Sequence, residues 1–100
     1  MANKLSPEVL KLLQQQVTTE LRAAHDYLQL AINLEDRAFH GSAAKFYALS
    51  DEERQHGKVF IDYLLKRGER PQVKDLGVPH GSKDTTTTAN PVGAFNHALN

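Results

Sequence analysis

The chain has 100 residues, 40% of them hydrophobic and 24% charged, which suits one small domain. Twelve basic and twelve acidic side chains give a formal net charge of zero, and this balance argues against a nucleic-acid partner and against electrostatic docking to a membrane. The chain has no cysteine, which excludes disulfides and thiolate chemistry, and it shows neither a membrane-spanning apolar run nor the apolar core of a signal peptide, so the expected compartment is the cytoplasm.

The first predicted element is a long helix from residue 6 to about residue 38. Its start is marked by Ser6, whose hydroxyl can accept a hydrogen bond from a free backbone N–H, and by Pro7, which suits the first helical position. No glycine or proline follows until Gly41, so nothing in this stretch favours a break. We therefore expect one uninterrupted helix, much longer than the average of about 11–12 residues.

The second predicted element is a helix from about residue 40 to residue 67. It contains no proline and ends at Arg67 and Gly68, a basic last turn followed by glycine where helices often terminate. Both helices have the lengths of bundle helices. The polar residues Glu35, Asp36 and Arg37 lie between them and predict a bend, so the expected arrangement is an antiparallel hairpin.

The third segment is rich in proline, glycine and threonine and predicts a long connection with little regular structure. We expect Lys74–Ala89 to be mobile or displaced relative to the hairpin, because it has almost no periodic apolar content. Asn90 and Pro91 then form a further helix start, followed by apolar residues at helical spacing. The predicted boundaries are 1–68 for the hairpin, 69–90 for the crossover loop and 91–100 for the start of a third helix.

Each predicted helix carries an apolar face at steps of three and four residues, and ionisable groups interrupt both faces at mid-length. The ionisable exceptions are Glu20 on the first helix and Glu53 with His56 on the second. The face of the first helix comprises Leu10, Leu13, Val17, Glu20, Ala24, Tyr27, Ala31 and Leu34. The face of the second comprises Phe39, Ser42, Phe46, Leu49, Glu53, His56, Phe60 and Tyr63. Burying an unpaired carboxylate destabilises a fold by several kcal/mol. These positions therefore need a partner, and a metal ion is one.

The spacing of the three ionisable groups predicts one shared site. A hairpin folded between Asp36 and Arg37 has its midpoint halfway between Glu20 and Glu53, so the two carboxylates meet at one level. Glu53 and His56 are three residues apart and therefore lie on one helical face, where both side chains can reach one ion. Carboxylate and imidazole ligands without sulfur suit iron, manganese or zinc.

The stretch from Ser6 to Val73 resembles the first half of a ferritin subunit. The motifs that carry the resemblance are Glu20-Leu-Arg-Ala-Ala-His-Asp-Tyr27-Leu on the first helix and Glu52-Glu53-Arg-Gln-His56 on the second. Residues 69–90 resemble, more loosely, the long crossover of that family, and the last residues resemble the start of its third helix. Ferritin-like di-iron bundles take a Glu from each of two helices and Glu-x-x-His from each of two others, so this chain carries half of that set.

The resemblance implies roles for individual residues. Glu20, Glu53 and His56 would ligate iron at a ferroxidase centre, with Glu20 and His56 as terminal ligands and Glu53 as a bridge. Tyr27 would be the nearby tyrosine of the catalytic set. Glu52 would flank the centre, where some members of the family use this position in a third iron site and others in a nucleation surface. The implied cofactor is iron, bound as a di-iron pair, and no haem, because the single methionine at position 1 leaves no methionine for haem ligation.

The expected fold is all-α: a ferritin-like antiparallel helical hairpin with a long crossover loop and a short third helix. A second chain is expected to complete a four-helix bundle. The implied function is iron storage and detoxification through oxidation of Fe(II) by O₂. The expected partner is the protein itself, as a homodimer or a larger assembly such as a cage, with no nucleic-acid and no membrane partner.

Two other functions remain open from the sequence. One is another di-iron carboxylate oxidoreductase, which needs a dry substrate pocket, whereas the positions beside the site are filled by Val17, Ala24, Leu49 and Phe60. The other is a metal-free helical assembly fragment of a ferritin, which an iron titration distinguishes. Gly57 follows His56 where the family usually has alanine, and we expect it to weaken the helix slightly.

Overall fold

Two long helices joined by a short turn account for most of residues 4–82, which are the residues that the computed structural model describes. Helix α1 spans Pro7–Asp36 and helix α2 spans His40–Lys66, and no strand occurs within 4–82. The all-α hairpin and the position of its bend are therefore confirmed. The predicted short helix in residues 91–100 lies outside the described residues. Neither α1 nor α2 is long and apolar enough to cross a membrane.

The ends of α1 follow from local chemistry. The Ser6 hydroxyl accepts a hydrogen bond from the backbone N–H of Val9 at 3.2 Å, and proline occupies the first helical position. At the other end Ala38 adopts a left-handed conformation with φ of 66°, which costs a non-glycine residue about 1–2 kcal/mol. The Tyr47 hydroxyl donates to Glu35 across this turn at 2.9 Å and fastens the two helices where the chain reverses.

Small side chains on α2 form the surface that contacts α1, and this surface differs from the face that the sequence predicts. The buried residues of α2 recur every seven positions: Ala43, Ser50, Gly57 and Leu64. The face that the sequence predicts is offset from this surface by one residue along the chain. Its side chains Phe46 and Phe60 are only half-buried, and Phe39 and Tyr63 are exposed. The predicted face of α1 is confirmed, since its buried members Val17, Ala24, Ala31 and Leu34 form most of the core.

Gly57 and Ser50 let the two helices approach closely at mid-length. A Cβ atom added at Gly57 would lie 3.0 Å from Cδ2 of Leu21, a tighter contact than most Cβ atoms make, so Leu21 would have to shift. Two helical turns closer to the bend, the buried Ser50 hydroxyl donates to the backbone carbonyl of Ala24 at 2.7 Å. Gly57 therefore allows the two helices to pack closely. The sequence predicted only that this glycine weakens its helix slightly.

The segment after α2 returns along α1 as an extended leg. Gln72 and Gln14 exchange two hydrogen bonds, at 2.8 and 3.1 Å, near the start of α1. Further along, the backbone N–H of His80 donates to Asp26 at 2.9 Å. Asn33 also donates to the backbone carbonyl of Gly81, and Ser82 donates to Gln29. As far as Ser82 the loop therefore lies against α1 and is not displaced from the hairpin, whereas its mobility stays a prediction. The rest of the loop lies outside the described residues.

Candidate metal centre

Glu20, Glu53 and His56 meet at mid-length of the hairpin, as the sequence predicts. Each offers one ligand atom, and the three atoms lie within 4.8 Å of one another. Nδ1 of His56 is 3.7 Å from Oε2 of Glu20 and 3.6 Å from Oε2 of Glu53. These separations exceed hydrogen-bond lengths, but two ligands that each lie about 2.0–2.2 Å from one metal ion are themselves about 3–4 Å apart. The spacing therefore fits a shared ion.

Gln16 orients the Glu20 carboxylate from one turn earlier on α1. Its side-chain amide donates to Oε1 of Glu20 at 2.8 Å, which leaves Oε2 directed toward His56. The sequence interpretation did not include Gln16, although an amide four residues before a carboxylate on one helix is a recognisable pair. Gln16 is thus a supporting residue of the cluster.

The two carboxylates are close enough to share a proton. The hydrogen bond between Glu20 and Glu53 lowers the pKa of Glu20, and contacts with Gln16 and His56 lower it further, while burial opposes them. The same hydrogen bond raises the pKa of Glu53, and burial and the charge of Glu20 add to this. Of the two carboxyl groups, Glu53 is therefore the one that takes up a proton first as pH falls. A bound cation would replace that proton and neutralise both carboxylates.

The cluster is open to solvent on the side away from the contact between the helices. The exposed side-chain fractions are 16% for Glu20, 23% for Glu53 and 49% for His56. A shallow groove of about 330 Å³ runs past the cluster and is lined by Glu20, His56, Val59 and Phe60. This groove is an open surface, which is a poor substitute for the dry substrate pocket that another oxidoreductase needs.

The structure places the other predicted site residues around the cluster rather than in it. The ring of Tyr27 packs against Phe46 with centroids 5.9 Å apart, two helical turns from Glu20. Glu52 is exposed on α2, beside the cluster in sequence. The roles of Tyr27 and Glu52 stay predictions. Of the remaining histidines, His25, His40 and His80 are exposed, while His97 lies outside the described residues.

The shared proton leads to an expected effect of Glu53→Gln on the metal-free protein. Because the folded-state pKa of Glu53 is raised, protonated Glu53 favours the fold at low pH, and this contribution is lost as pH rises through that pKa. Glutamine keeps a donor toward Glu20 at every pH. We therefore expect Glu53→Gln to melt above wild type at pH 7 in chelator, by a margin that shrinks on acidification.

The matched control for this variant is Glu52→Gln, at the exposed neighbouring position on α2. It removes the same charge without touching the carboxylate pair, so its melting temperature should follow wild type across the pH range. A Glu53→Gln protein that melts at or below wild type at pH 7 would show that the carboxylates do not repel each other in the fold.

A helical hairpin that brings a Glu of one helix together with a Glu-x-x-His pair of the next matches half of the ligand arrangement of ferritin-like metal-binding bundles. Residues 10–100 match the family model of the ferritin-like domain, and the chain belongs to the ferritin family. Over 75 residues it is 36% identical to the bacterial non-heme ferritin of Staphylococcus haemolyticus and 32% identical to that of Campylobacter jejuni.

The matches cover most of this chain and about half of each relative. The alignments to the two bacterial ferritins include 75% of this chain and 45% of the relative. The solved apo-ferritin from Pseudo-nitzschia multiseries is 31% identical and superposes with a TM-score of 0.73, covering 94% of this chain and 57% of that one. The chain therefore spans about half the length of the curated relatives it matches.

Proposed function

We propose that this protein binds Fe(II) and oxidises it to Fe(III) with O₂, in the service of iron storage and detoxification. The observation that supports this most is the convergence of Glu20, Glu53 and His56 on one point, in a chain of the ferritin family. In this function iron is the substrate, and the hairpin supplies its binding groups.

The cluster has the chemistry that Fe(II) binding needs. Two carboxylates and one imidazole offer hard oxygen and borderline nitrogen ligands, and no thiolate competes. Gln16 holds Glu20 in its rotamer, so less entropy is lost when the metal binds. Glu53 releases its proton as the cation enters, so affinity should increase as pH rises through the pKa of Glu53.

The electron balance of the reaction requires two irons for each O₂ that is reduced to hydrogen peroxide. Each Fe(II) gives one electron, and two protons enter with the two electrons. We place Glu20 and His56 as terminal ligands of the irons and Glu53 between them, with Tyr27 and Glu52 near the centre, as the ferritin resemblance implies.

The test is an iron-oxidation assay on the 100-residue chain. Fe(II) is added anaerobically, O₂ is then admitted, and the absorbance of Fe(III) is followed together with O₂ consumption. We expect oxidation well above the rate in buffer, with one O₂ consumed for two irons during the first turnover. Oxidation at the buffer rate, with no iron retained after gel filtration, would instead identify a metal-free helical module.

A further inference from the structure

The metal cluster of one chain holds half of the ligands that a two-iron site uses. The three groups at Glu20, Glu53 and His56 converge from α1 and α2, and the imidazole remains half-exposed at 49%. A ferritin-like pair of irons takes four carboxylates and two imidazoles. The other half must therefore approach from the open side of the hairpin, where the groove lies.

The open side also carries large apolar groups that remain uncovered. Val59 is 64% exposed and, with the half-buried Phe60, lines the groove directly beside His56. At the ends of the same α2 face, Phe39 is 53% and Tyr63 is 41% exposed. Leaving such side chains in water is unfavourable by about 25 cal/mol for each Å². An occupant of this surface thus gains apolar burial as well as access to the metal.

Residues 83–100 are one candidate occupant, but their composition cannot complete the site. This segment contains one carboxylate residue, Asp84, and one histidine, His97. A second copy of the chain, by contrast, brings Glu20, Glu53 and His56 at once, in the spacing already set by the hairpin. Of these two occupants, the copy is the one that doubles the half set to four carboxylates and two imidazoles.

We propose, building on the iron-oxidising function above, that a second copy packs on the groove across a two-fold axis beside the cluster. Each copy then supplies Glu20, Glu53 and His56 to one shared two-iron site. A two-fold interface is self-complementary, so Val59 and Phe60 of each copy pack against the surface around the other's cluster. The four carboxylates repel one another without cations, so metal binding drives the association.

Sedimentation of the 100-residue chain at micromolar concentration tests this inference, with Co(II) as a redox-stable probe. We expect monomer in chelator and, with Co(II), a species of twice the 11.2 kDa chain mass that holds one metal per chain. His56→Ala should remain monomeric with Co(II). The matched control is His25→Ala, an exposed histidine of α1 outside the cluster, which should dimerise as wild type does.

A second pair of variants separates the interface from the ligands. Val59→Lys places one positive charge from each copy at the proposed interface. These like charges should abolish the Co(II)-dependent dimer while helicity is retained. Leu65→Lys changes a comparably exposed residue of α2 outside the groove and should leave the dimer intact. If Val59→Lys still dimerises with Co(II), the groove is not the contact surface and the inference is overturned.

The outcomes distinguish this inference from the proposed function. A monomer that binds Co(II) and oxidises iron rapidly would overturn the shared site and leave the function standing. A dimer that forms equally in chelator and in His56→Ala would also overturn metal-driven association. A chain that binds no Co(II) and oxidises no iron would overturn both, because the site itself would then be absent.

Discussion

Replacing either Glu53 or His56 by alanine should abolish rapid oxidation of Fe(II) while leaving the helical content close to wild type. Removing a group outside the direct ligand set of a metal typically costs about 10–100-fold, so losing a ligand should cost at least ~100-fold in the initial rate. Both side chains are partly exposed, at 23% and 49%, and their removal leaves no large cavity. Stopped-flow absorbance at one iron per chain, with circular dichroism of each variant, measures both effects.

Glu52→Ala is the control for these variants, since it removes an exposed carboxylate adjacent to Glu53. It should retain most of the initial rate, and any loss should appear only after the first irons are oxidised, where a flanking ligand would act. Wild-type initial rates in both Glu53→Ala and His56→Ala would overturn the assignment of the metal ligands. Loss of helicity in either variant would instead indicate a structural role for that side chain.

Gly57→Leu should destabilise the hairpin by about 1–3 kcal/mol, the usual cost of overpacking a well-packed contact. Even the first added carbon would lie 3.0 Å from Cδ2 of Leu21 and 3.7 Å from Cβ of Glu20, so a full side chain must push the helices apart. That displacement moves Glu20 away from His56, and metal affinity should fall along with stability. Urea unfolding in chelator and Co(II) titration provide the two measurements.

Gly41→Leu is the matched control, because it makes the same substitution in the same helix. A Cβ added at Gly41 meets nothing within 4 Å. Since leucine favours helix more than glycine does, this variant should be neutral or stabilising by up to ~1 kcal/mol. Equal effects of the two substitutions would show that the contact at Gly57 is not tight.

The sequence was sufficient to predict both helices, their bend and the convergence of the metal cluster. The reason is that these features depend on local signals: Ser6 and Pro7 at a helix start, and an uninterrupted helical repeat to the bend. The level at which Glu20 meets Glu53 then follows from counting residues from that bend. Neither inference requires knowledge of which side chains pack together.

The contact surface of α2 could not be predicted in the same way. Interpretation of an apolar repeat favours large side chains such as Phe46 and Phe60, whereas the helices meet through Ser50 and Gly57, which scarcely register as hydrophobic. Phe60 instead lines the open groove, and Phe46 is half-buried against the core and the ring of Tyr27. The extended leg was missed for a related reason: it is held by hydrogen bonds from polar residues, such as Gln14 with Gln72, that have no periodic pattern.

The position of the cluster within the hairpin also has a consequence for the order of events in the cell. All three groups precede Gly68, and their assembly requires only that α2 close on α1. Helical hairpins have low contact order and fold within microseconds to milliseconds, whereas a ribosome adds about 5–20 residues each second. Once both helices are free of the ribosome, the three groups can therefore come together without waiting for the residues that follow Gly68.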